Sequence, residues 1–312
     1  TGRLAVTLPP DEEAKETPED ADSWEAISGA RILVAEDNDV NRDVIRTMLE
    51  TLECQVDVVG NGAEAVTAVQ REPYDLVVLD CQMPVLNGYD ATRQIRQLIQ
   101  EGKVDTCAAR RRSDYLPIVA VTAHTAPADR ARSLESGVDE FVSKPISLQK
   151  LRGVLNRWVG GQFDSTQPVA MDAGSAASDS SPINELALEQ ILELDRASGG
   201  GFLVRLAGNF RAGAPVALHD LRGAIEKGDA TLTAEIAHSL RSTCLSVGAN
   251  GMADVSRKIE EIGKTGTTEG TIELATELDE TYLAVKAALE SRVPADQGEK
   301  AKDAPTPSLQ LK

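Results

Sequence analysis

Between residue 30 and about residue 158, short aliphatic runs alternate with helical stretches. The runs fall at 32–35, 56–59, 76–79, 118–121 and, more weakly, 141–142. Three are continuously apolar, the pattern of strands buried on both faces of a parallel sheet. The stretches between them repeat apolar residues every three or four positions. Val44, Ile45, Met48, Leu49 and Leu52 share one face, as do Ala65, Val66 and Val69, and then Ile95, Leu98 and Ile99. Five β-α repeats predict a doubly wound, flavodoxin-like α/β domain with a five-stranded parallel sheet over 30–158. From 183 to 291 the strand signal vanishes and helical periodicity remains. Glycine-rich breaks at 199–201, 228–229, 248–251 and 263–270 predict four or five helices in an antiparallel bundle.

The remaining segments read as connections. Residues 11–26 hold eight acids and one base, Lys15, which predicts a solvated acidic linker. Residues 159–182 are small, polar and rich in Gly, Pro and Ser, a flexible linker. Residues 292–312 read as a disordered polar tail.

Composition narrows the function classes. Of 312 residues, 41% are hydrophobic but only 3% aromatic, so the cores must be aliphatic. Lys and Arg number 32 against 50 Asp and Glu, a formal charge of −18. That balance argues against direct nucleic-acid binding, which draws its affinity from phosphate neutralisation. Cys54, Cys81, Cys107 and Cys244 form no CxxC pair or metal-ligand spacing and read as thiols of a reducing compartment. No apolar run reaches the roughly 18 residues of a membrane helix. The sequence shows no signal peptide and does not start with Met. The expectation is a cytoplasmic segment of a longer protein, with an inner-membrane anchor elsewhere in the parent left open.

Candidate chemistry gathers at the strand ends. In an open α/β sheet, ligands bind beyond the carboxyl ends of the strands. Strand one ends in Glu36-Asp37, strand three in Asp80 and strand four in Thr122, and strand five is followed by Lys144-Pro145. Three clustered carboxylates call for a cation between them. A hard divalent ion fits, and Mg²⁺ suits a site with few protein ligands. A phosphoryl group there would meet the ion, the Lys144 ammonium and the Thr122 hydroxyl, which together stabilise a loose phosphoryl-transfer transition state. Asp80, ending a central strand before Met83-Pro84, is the best nucleophile, since aspartyl phosphates are a known type of covalent intermediate.

These residues also carry a family resemblance. VAEDNDVNR (34–42), LDCQMPVLNGYDATRQIR (79–96), PIVAVTAH (117–124) and SGVDEFVSKPI (136–146) resemble receiver domains, especially those fused to hybrid sensor histidine kinases. The resemblance implies Asp80 as phosphoacceptor, and Mg²⁺ held by Glu36, Asp37, Asp80 and the backbone carbonyl of Gln82. It places Thr122 and Lys144 on the phosphoryl oxygens and Phe141 at the aromatic switch position. Asn87 stands where such receivers usually have Asp, with Gly88 keeping the turn. Residues 102–115 look longer than the usual connection, and Arg110-Arg111-Arg112 within them suit either a solvated loop or a contact to an acidic partner.

The chain has three histidines. His124 follows Thr122 within the receiver-like pattern, and His219 reads as a surface residue near a helix boundary. His238 lies in DATLTAEIAHSLRSTCLSVG (229–248). There, Leu232, Ile236, Leu240, Thr243 and Val247 predict a buried stripe, placing His238 on the opposite face with Ala234, Arg241, Ser242 and Leu245. Helical geometry alone leaves two readings, an ordinary surface histidine or an exposed phosphoryl nucleophile with Arg241 near the added charge. AHSLRSTCLSVGANGMADVSRKIEE (237–261), preceded by LHDLRGAIEKGDA (218–230), resembles histidine phosphotransfer (HPt) domains. That resemblance implies a phosphorylated, exposed His238 with Arg241 at the family's basic position, and Ser242 where Gly is usual.

The first ten residues, TGRLAVTLPP, look like the closing strand of a histidine-kinase ATPase domain. The nucleotide-binding glycine boxes of such a kinase are absent, so no ATP-dependent kinase activity is expected of this sequence. The expected function is a phosphorelay: Asp80 takes a phosphoryl group from a histidine of a kinase core expected upstream in the same polypeptide, His238 takes it from Asp80, and a separate response regulator takes it from His238. The alternative is a regulatory module whose receiver controls its kinase by docking. A small-molecule phosphatase fits poorly, because Gln82 replaces the acid such enzymes need two residues after the nucleophile.

Overall fold

The computed structural model describes residues 27–105, 115–122, 136–160 and 181–293. The acidic segment at 11–26, Cys107, Arg110 to Arg112, His124, most of the 159–182 connection and the tail beyond Val293 lie outside the described residues.

The first unit runs β1 (Arg31–Ala35), α1 (Asp39–Thr51), β2 (Gln55–Val59), α2 (Gly62–Arg71), β3 (Leu76–Asp80), α3 (Gly88–Gln100), β4 (Ile118–Thr122), β5 (Glu140–Ser143) and α4 (Leu148–Trp158). The five strands are parallel, in the order β2-β1-β3-β4-β5. Successive side chains of a strand face opposite sides of the sheet. Leu33, Ala35, Val77 and Leu79 therefore pack on one face with Val69 and Ile95 of α2 and α3. Ile32, Val34, Leu76 and Val78 pack on the other with Ile45, Leu49, Leu151 and Leu155 of α1 and α4. β3 and β4 are buried throughout, while the edge strand β2 is mostly half-buried, which explains the polar Asp57 within it. Leu98 and Ile99 sit at the margin of their predicted stripe, partly buried.

The second unit holds five helices: α5 (Glu185–Ala197), α6 (Phe202–Glu226), α7 (Ala230–Ser246), α8 (Asn250–Lys264) and α9 (Thr271–Glu290). Helices α6 to α9 close into a ring, each packing on the next and α9 returning to α6, with α5 laid against α6. Asn184 and Asp229 cap α5 and α7 by accepting from Ala187 N and Leu232 N. Gly263 marks a close approach: a Cβ there would lie 2.9 Å from the Cβ of Ala234 on α7. Apart from Phe202 and Phe210, the largest fully buried side chains are Ile and Leu. His219 lies well inside the long α6, not near its boundary, and is exposed.

The two units are packed together. Helix α1 rests against α5, α6 and α7, and one apolar cluster runs from the sheet through α1 into the bundle. Among the described residues, no helix is long and apolar enough to cross a membrane.

Candidate functional site

Sheet order brings four chemical strand ends side by side, because β1, β3, β4 and β5 are consecutive neighbours. Glu36 and Asp80 are buried at 1% and 3% exposure. Carboxylate oxygens of Glu36, Asp37 and Asp80 all lie within 4.8 Å of one another. The Lys144 ammonium, itself buried, donates to Asp80 Oδ2 at 2.6 Å and to Glu36 Oε2 at 2.9 Å. The Gln82 amide donates to Asp80 Oδ1 at 3.1 Å. Thr122 is buried beside them, its carbonyl accepting from Lys144 N at 2.9 Å. Phe141 is partly buried against Cys81 and Ala120. Gly88 is required by close approach, since a Cβ would lie 2.2 Å from the Asp80 carbonyl oxygen. Asn87 caps α3 by accepting from Asp90 N, a role Asp would also fill.

The charge balance of this pocket is unfinished. With all three carboxylates ionised, the single ammonium would leave the buried site at −2. Burial, then the neighbouring Asp80 carboxylate, push Glu36 up to about 8 and hold Asp37 above its ordinary value. Burial alone would lower Lys144, but Asp80 and Glu36 outweigh it and raise it. The donor set is all oxygen, and the missing charge equals that of one divalent cation. Glu36, Asp37 and Asp80 therefore fit a hard divalent ion.

His238 lies in the middle of α7 and, contrary to the exposed position expected of it, is largely covered, its side chain 13% exposed, because α8 and the α/β unit pack against this helix. Its Nδ1 lies 3.0 Å from Glu260 Oε1 on α8. Glu260 is fully buried and also accepts from Lys264 Nζ at 2.5 Å and from Arg241 at 3.3 Å. Burial alone would raise Glu260, but His238 and Lys264 outweigh it and hold the carboxyl down at about 2. A carboxylate on Nδ1 orients the ring and, in the neutral tautomer, puts the lone pair on Nε2.

The structure corrects the predicted faces of α7. Ala234, Arg241 and Ser242, expected beside an exposed His238, are buried, whereas Leu232 is 39% exposed and Ile236 only partly buried. The interior stripe is Thr233, Ala237, Leu240 and Cys244. The cause is that α7 packs on α6, α8 and the α/β unit at once, so apolar periodicity does not single out one inward face. Arg241 braces Glu260 from inside the bundle instead of lining an open surface. Ser242 is buried as well, so its side chain is enclosed within the bundle.

His238 and the rim of the acidic pocket border one cavity of about 510 Å³ between the units. Asp37, Gln82 and Met83 line one side, and His238, Ser239 and Glu260 the other. A polar clasp holds the walls in place. Asn38 caps α1 through its side-chain oxygen, while its Nδ2 donates to Thr243 Oγ1 at 2.7 Å and Ser239 Oγ at 3.2 Å. Ser246 donates to Asn41 Oδ1 at 2.6 Å. Leu245 lines a second cavity with Met48, Lys144 and Ile146 of the α/β unit.

Sequence reasoning missed Glu260, Asn38, Asn41 and Ser246. Glu260 left one signal: it sits between Ile259 and Gly263 on the buried face of α8, where an acid needs a partner. The clasp residues left none, because they are ordinary polar helix residues until the second unit is in place.

Comparisons with known proteins match each unit separately. Residues 32–156 match the family model described as response regulator receiver domain, and residues 205–288 match the Hpt domain model. The chain is 40% identical over 130 residues to the sensor histidine kinase GacS of Pseudomonas protegens, covering 42% of this chain and 13% of that protein. It is 36% identical over 170 residues to histidine kinase 5 of Arabidopsis thaliana, covering 50% and 18%. The chain thus spans under a fifth of the length of these relatives. Among solved structures, the receiver domain of sensor histidine kinase PA1611 from Pseudomonas aeruginosa, with a magnesium ion in its active-site cleft, aligns at 36% identity and TM-score 0.36, covering 43% of this chain and 99% of that one.

Proposed function

We propose that this chain, whose two units match the response regulator receiver domain and the Hpt domain, serves phosphorelay signalling, with Asp80 and His238 as successive carriers of one phosphoryl group. The observation that carries this reading is the shared cavity, with the rim of the acidic pocket on one wall and His238 on the other.

Asp80 first attacks the phosphorus of a phosphohistidine on a histidine kinase core, part of the same polypeptide upstream. The N–P bond breaks as an O–P bond forms, giving an acyl phosphate. His238 Nε2 then attacks that phosphorus, the O–P bond breaks, and Asp80 recovers its carboxylate. A response regulator outside this chain accepts the group from His238. Mg²⁺ held by Glu36, Asp37, Asp80 and the Gln82 carbonyl supplies Lewis-acid charge neutralisation when bound. Lys144 and Thr122 hold phosphoryl oxygens, and Phe141 responds to their position as a switch. Glu260 stabilises the positive charge that develops on the His238 ring, and Arg241 keeps Glu260 in place. These steps rest on positioning and electrostatics, the main resources of phosphoryl-transfer sites.

The test is to phosphorylate the chain with its kinase and examine the stability of the label. Acyl phosphate is base-labile and phosphohistidine acid-labile. The reading predicts both kinds in the wild-type chain, only the base-labile kind in His238→Gln, and neither in Asp80→Asn. Acid-labile label in Asp80→Asn would contradict the order.

A further inference from the structure

Asn41 joins the acidic pocket to the domain interface. It is 3% exposed and uses both ends of its amide. Nδ2 donates to Glu36 Oε1 at 2.7 Å, and Oδ1 accepts from Ser246 Oγ at 2.6 Å. The other Glu36 oxygen is held by Lys144 at 2.9 Å. A continuous path of hydrogen bonds thus runs from Lys144 through Glu36 and Asn41 to Ser246 on the Hpt helix. With Nδ2 committed to Glu36, the amide turns Oδ1 toward Ser246. That orientation presents the carbonyl, not the NH₂, to the Hpt domain.

We propose that Asn41 is a positioning residue that couples the cation site of the receiver to the seating of its own Hpt domain, through Ser246. The inference rests on the metal site proposed above. Ser246 pins Asn41, Asn41 pins Glu36, and a pinned Glu36 offers its oxygens to a cation already oriented. Outer-shell partners of metal ligands commonly tune affinity in this way. Coupling between two binding equilibria is reciprocal, so a cation in the pocket tightens the clasp to the same degree that the clasp tightens the cation. The receiver then holds its Hpt domain most firmly when the pocket is ready for phosphoryl chemistry.

The experiment is calorimetric titration of the full chain with MgCl₂. Ser246 lies on the other domain and is not among the proposed cation ligands. Ser246→Ala is nevertheless expected to weaken Mg²⁺ binding about three- to tenfold, the range of one net hydrogen bond, while Ser246→Thr, which keeps the hydroxyl, stays near wild type. In an Asn41→Ala background, Ser246→Ala should add nothing. Affinity within twofold of wild type in Ser246→Ala overturns the coupling, as does an equal loss in the Asn41→Ala background. No Mg²⁺ binding by the wild-type chain would sink the metal site itself, and the coupling with it.

Discussion

The acidic pocket and the histidine site meet at one cavity but are built by different means. The pocket is assembled by topology: parallel strands in the order β2-β1-β3-β4-β5 deliver their last residues to one rim. The histidine site is assembled by packing, with α8 brought against α7 at Gly263 so that buried Glu260 reaches His238. A strand end is fixed by hydrogen-bonded register, whereas the functional face of a helix depends on which neighbours surround it. The two sites therefore tolerate change differently.

The sharpest contrast is between the two proposed acceptors. His238→Gln should eliminate acid-labile label entirely while leaving base-labile label on Asp80, as read by gel autoradiography after acid and base treatment. The next largest effect falls on Lys144. Lys144→Met leaves Glu36 and Asp80 buried without their cation, and breaking a buried pair in this way costs about 3–5 kcal/mol. Urea unfolding should show that loss, and saturating Mg²⁺ should restore part of it by binding only the folded state.

Glu260 sharpens the comparison through pH. Its carboxyl titrates at about 2 in the folded chain against an ordinary value of 4.5. A depressed acid adds stability above its unfolded value and loses it as pH falls through the folded one. Wild type should thus lose stability between about pH 4.5 and pH 2, and Glu260→Gln should flatten that part of the acid-unfolding curve. The same variant should slow transfer to His238 by roughly tenfold or more, the rate equivalent of the about 1.5–3 kcal/mol carried by a hydrogen bond to a charged group. The smallest effect is expected at the clasp. Thr243→Val keeps its shape but loses the hydrogen bond from Asn38. Domain seating should weaken by about 1 kcal/mol, measured as faster hydrogen exchange along α1.

This contrast also explains what was legible in the sequence. The strand runs, their parallel stacking and the meeting of Glu36, Asp37, Asp80, Thr122 and Lys144 could be read, because each lies at the end of an apolar run whose burial leaves few alternatives. His238 could be found, but its neighbours could not. The apolar spacing of Leu232 and Ile236 pointed away from the true interior, while small Ala234 and Ala237 and polar Thr233 fill it. Such residues give little periodic signal when a helix is covered on several sides. Asn38 and Asn41 read as ordinary residues of a helix start, and only the docked Hpt domain reveals their second bonds.

The account stands most directly on transfer across the shared cavity. The decisive measurement is to charge Asp80 with a small-molecule phosphodonor and Mg²⁺, then follow conversion of base-labile to acid-labile label over a range of protein concentrations. Transfer between docked domains of one chain predicts first-order conversion onto His238 at a rate independent of concentration. A charged Asp80 that never yields acid-labile label, or acid-labile label that appears on His238 in Asp80→Asn under the same conditions, would contradict it.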